Sequence, residues 1–111
     1  MREDFDAIYE RILNNIKQNP QEIQTIPLRG GGVWFSVFVK NERIFVSPAT
    51  EHTPASKVLP NTPINKIDLE RLFPLYVRRK NGERVSQEAL QAAFVIVYCY
   101  AIFENYLFAQ D

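Results

Sequence analysis

The sequence predicts an α+β fold. Three observations carry that expectation: an amphipathic helical stripe near the start, two short alternating runs meeting at a turn, and a long apolar stretch near the end without a Gly or a Pro. The chain of 111 residues reads as one domain spanning 1–111. A chain of this length buries roughly 65% of its unfolded surface, enough for one modest core. Hydrophobic content of 46% is ordinary for a globular protein and argues against wholesale disorder.

Residues 4–18 predict the first helix. Phe5, Ile8, Tyr9, Ile12, Leu13 and Ile16 form one stripe at helical spacing, with Asp4 as N-cap. Asn19-Pro20 ends it, because the residue before a proline avoids the helical region. Residues 23–29 read as extended, and Pro27 confines them to a sheet edge. The three glycines that follow (Gly30, Gly31, Gly32) lack the Lys-Ser/Thr pair of a phosphate loop, so a turn between strands is expected there.

Residues 33–40 and 43–48 predict a hairpin around Asn41-Glu42, with asparagine suited to the positive φ such turns require. That register opposes Val39 with Ile44, Val37 with Val46 and Phe35 with Pro48 on an aliphatic face. The other face pairs Phe38 with Phe45, Ser36 with Ser47 and Lys40 with Arg43, with Trp34 at its far end. Both faces therefore call for cover, unlike a one-sided sheet.

Residues 49–63, with Pro54, Pro60 and Pro63, predict a loop that is long for a compact domain and holds the only histidine, His52. A helix over 66–79 follows, capped by Asn65 or Asp68 and kinked or ended by Pro74. The Asn81-Gly82 turn keeps open a rival pairing of 75–79 with 84–86. Ser86 then caps a final helix over 87–109. Its centre, Ala92 to Phe103, is apolar on every side, which only a helix buried on most sides tolerates. Arg84, Gln91, Tyr98 and Asn105 recur every seven residues as one narrow polar stripe. That stripe argues against a lipid-facing span.

Formal net charge is zero but unevenly spread. Residues 1–22 carry −2, residues 23–84 carry +5, and residues 85–111 carry −3. The single cysteine, Cys99, lies inside the apolar run and reads as an inert buried thiol. This fits a reducing compartment, the N-terminus is unlike a signal peptide, and the expected location is cytoplasmic.

No motif for catalysis, metal or nucleotide binding is present, so the sequence predicts a non-enzymatic protein without a cofactor. Its leading expectation is a homodimeric interaction protein. The last helix would supply the interface through Ala89, Ala93, Val97 and Tyr100, whose alanines permit close approach. The alternative is a small module that binds single-stranded nucleic acid on the hairpin's aromatic face. Trp34, Phe38 and Phe45 would stack bases there, and Arg29, Lys40 and Arg43 would form a basic rim.

Overall fold

A computed structural model describes residues 4–26, 32–82 and 93–108. Helix α1 spans Phe5–Gln18, with Asp4 at its N-cap. All of its stripe from Ile8 to Ile16 is buried, and Phe5 packs against the core's edge. Four strands follow: β1 (Gln21–Gln24), β2 (Trp34–Lys40), β3 (Arg43–Pro48) and β4 (Thr62–Ile64). They pair antiparallel in the order β1-β2-β3-β4. Helix α2 spans Lys66–Lys80. Helix α3 spans Ala93–Phe103 and runs on as a π-helical turn over Glu104–Phe108.

The hairpin has the register that its residue pattern predicts, from Phe35 opposite Pro48 to Lys40 opposite Arg43. Its turn residues Asn41 and Glu42 have φ of 54° and 61°, the paired positive values of a type I′ turn. Glu42 tolerates this position while its carboxylate meets the Lys17 ammonium of α1 at 2.5 Å.

Two segments differ from expectation, and in a third the structure chooses between alternatives. The first strand begins earlier, at Gln21, and pairs with β2 as an edge strand; residues 27–31 lie outside the described part. The 49–63 segment is not structureless. Its end forms β4, where Pro63 is harmless because an edge strand leaves one row of groups unpaired. Nearer its start, Trp34 N–H donates to Pro54 O at 2.8 Å, and Trp34 O accepts from Ser56 N–H at 2.7 Å. Finally, α2 has the expected extent and continues through Pro74 to Lys80, so the proline does not end it and the rival strand pairing of 75–79 is excluded. Pro74 and Glu70, whose carbonyl loses its helical partner, both face solvent, so water can replace the missing bond.

One core joins the buried residues of α1, one face of the sheet, α2 and α3. Phe35, Val37, Ile44 and Val46 supply the sheet's inner face and are essentially inaccessible to solvent. Described residues Cys99 to Phe103 are likewise sealed, so the last helix is the buried rod that its composition predicts. Its expected start, including Ser86 and Gln91, lies outside the described residues. Among those described, no helix is long and apolar enough to cross a membrane.

Of the expected polar stripe, Tyr98 and Asn105 lie in the described residues. Tyr98 Oη lies 2.6 Å from Ser56 Oγ, and Asn105 Nδ2 donates to Ala101 O within the helix. Asn15 of α1 donates to Tyr106 O at 2.7 Å, and Tyr106 Oη donates to Asn19 O at 2.8 Å. Burial pushes the Tyr106 hydroxyl up to about 12, so it remains a donor at neutral pH.

Candidate functional site

Alternation along β2 and β3 sends Trp34, Ser36, Phe38 and Lys40, with Arg43, Phe45 and Ser47, to the face opposite the core. The three aromatic residues are half-buried and stand outside the core cluster. Phe38 and Phe45 are cross-strand partners with centroids 5.8 Å apart and planes 20° apart. Arg43 places its guanidinium 5.7 Å from the Phe45 centroid, a cation–π distance.

Lys40 and Arg43 sit directly opposite each other at the turn, both exposed. Like charges so placed destabilise a sheet slightly. The nearby Glu42 carboxylate is engaged by Lys17. This end of the face therefore presents positive charge beside flat apolar rings.

The other end holds a cluster assembled from three separate segments. His52 stacks on Trp34, with centroids 4.1 Å apart and planes 16° apart. Its Nδ1 lies 2.7 Å from Glu22 Oε1 of β1. The same carboxylate accepts from Thr50 N–H at 2.7 Å, Thr50 Oγ1 at 3.2 Å and Glu51 N–H at 3.1 Å. Its partial removal from water alone would raise the Glu22 pKa. The hydrogen bonds from His52, Thr50 and Glu51 outweigh that and hold the carboxyl down at about 2. Glu22 and His52 are thirty residues apart, and no spacing rule joins them. The nearest signal in the sequence is that the only histidine lies in the long loop just after the hairpin that carries Trp34.

A second polar group lies between α2 and the π-helical turn. Tyr76 Oη donates to Glu104, whose carboxylate also meets Lys80 Nζ at 2.9 Å. Burial and the Glu104 contact push the Tyr76 hydroxyl up, and the bonds from Tyr76 and Lys80 pull Glu104 down. Burial pushes the Cys99 thiol up, which removes its nucleophilic form at neutral pH. Among the described residues, no group of three His, Cys, Asp or Glu side chains is placed to hold a metal ion.

Of the six residues expected on the basic and aromatic face, the structure brings Trp34, Phe38, Lys40, Arg43 and Phe45 to one side of the sheet; Arg29 lies outside the described residues. Of the four residues expected at a subunit interface, Val97 and Tyr100 have described side chains. Tyr100 is fully buried within its own chain, against the Tyr76 ring and below the Arg79 guanidinium, so it has no surface to offer a second copy. Val97 is half-buried and packs on the core, while its carbonyl accepts from Ile26 N–H at 3.3 Å. Ala93 begins α3, and Ala89 lies outside the described residues.

No protein-family model, curated protein or solved structure matches the chain. The functional reading therefore rests on the site's own geometry.

Proposed function

We propose that this chain is a non-enzymatic binding module that takes single-stranded nucleic acid on the outer face of its sheet. One observation carries the reading. Trp34, Phe38 and Phe45 stand on the face turned away from the core, beside the basic end formed by Lys40 and Arg43. Flat rings accept bases of any identity by stacking, and flanking cations attract the phosphates. A fluorescein-labelled oligothymidine in a fluorescence-anisotropy titration tests it. Binding is expected at low salt, weakening as salt rises, and Phe38→Ala or Phe45→Ala reduces it by about 5- to 100-fold. Absence of salt-sensitive binding by the parent protein overturns the reading.

A second reading is a homodimer that covers the same face with a second copy. Zero formal net charge favours it, since most nucleic-acid-binding domains are strongly basic. Light scattering at micromolar concentration separates the two: a monomer mass removes the dimer.

A further inference from the structure

Trp34 is not the outermost ring at its end of the face. The His52 imidazole lies parallel to the indole at 4.1 Å, and its side chain is 49% exposed. A ligand approaching there meets the imidazole first. Glu22 holds the imidazole through Nδ1, and Glu22 is itself only 12% exposed, gripped by the Thr50 and Glu51 amides. The strand under the indole is fixed too, since Trp34 exchanges backbone hydrogen bonds with Pro54 and Ser56. The result is a two-ring stack held from both sides before any ligand arrives, which lowers the ordering cost of binding.

We infer that His52, backed by Trp34 and aimed by Glu22, is the base-stacking residue at the β1 end of the face. The inference rests on the nucleic-acid reading above and names a contact residue for it. The Glu22 carboxylate only accepts, so Nδ1 carries the hydrogen of this contact, and Nε2 lies on the other side of the ring. The ring therefore offers a nucleobase both a flat face and a second ring nitrogen at its edge. Glu22 touches no ligand and is a positioning residue.

The test is anisotropy titration of labelled oligothymidine with the full chain and three variants, each checked for folding by circular dichroism. His52→Ala is expected to lose about tenfold in affinity. His52→Phe keeps a ring on the indole and stays within about threefold of the parent. Glu22→Gln weakens binding by an intermediate factor. It also changes Trp34 emission in the unliganded protein, because the amide keeps one acceptor oxygen where the carboxylate had two and cannot hold both the loop amides and the imidazole.

Unchanged or tighter binding by His52→Ala overturns the inference, since the bared indole would then be the platform. Loss of binding by His52→Phe equal to that of His52→Ala overturns the stacking role. A Glu22→Gln protein with parental emission and affinity overturns its positioning role. A parent protein that binds no oligothymidine overturns the functional reading itself, and with it this inference. That failure differs from one in which the parent binds and His52→Ala does so equally well.

Discussion

Both faces of the β2–β3 hairpin carry large apolar side chains, mostly aliphatic on one and aromatic on the other, yet the molecule uses them in opposite ways. Inward, Phe35, Val37, Ile44 and Val46 are sealed beneath the helices. Outward, Trp34, Phe38 and Phe45 find only one another, His52 and Arg43 among the ring contacts of the described residues. A single register sets both faces, because side chains alternate strictly along a strand. Residue type alone therefore does not separate core from surface here. What separates them is where α1, α2 and α3 supply partners.

Truncating one ring on each face tests this contrast most severely. Phe35→Ala removes a fully buried ring and is expected to cost about 3–5 kcal/mol of stability, a large share of what a small domain has. Phe38→Ala loses only part of a cross-strand stack and is expected to cost about 0.5–1.5 kcal/mol. Denaturant titration of both variants measures the difference. Equal losses would mean that the outer face is a second packing layer, and the contrast between the faces would fall.

Acid probes the outer face without a mutation. The Glu22 carboxyl is held at about 2 in the folded chain, below its ordinary value near 4.5. Its contribution is therefore fully present above the ordinary value and is lost as pH falls toward about 2. The groups released are Thr50, Glu51 and His52, all on the outer loop. Emission from Trp34, the only tryptophan, is expected to change over that interval, with the change absent in Glu22→Gln. If the emission and the helical circular dichroism change together in both proteins, the loop is no separate unit.

The contrast also explains how much the sequence disclosed. Periodicity and turn chemistry sufficed for α1, the hairpin and its register, because each is a local pattern. Strand β4 stayed hidden because three residues with a central proline carry no alternation, and pairing with β3 makes them a strand. Whether Pro74 would end α2 was not legible, because a proline is tolerated more readily where the orphaned carbonyl reaches water, which only the packed structure reveals. Phe38, Phe45, Lys40 and Arg43 were legible as a face, but its Glu22–His52 corner was not. That corner depends on a long-range contact between an edge strand and a loop.

The smallest expected effect lies at the turn where the two faces meet. Glu42 has a φ of 61°, a left-handed conformation that a side chain disfavours and glycine does not. Its compensation is the contact with Lys17, and both side chains there are well exposed, so that ion pair is worth little in water. Relief of backbone strain should then outweigh loss of the pair. Asn41-Gly is also the preferred sequence for this turn type. Glu42→Gly is expected to raise stability by about 0.5 kcal/mol, read as a higher midpoint in denaturant. A lower midpoint would show that Lys17 and Glu42 tie the hairpin to α1. The turn would then belong to the closed half of the molecule and not to the open one.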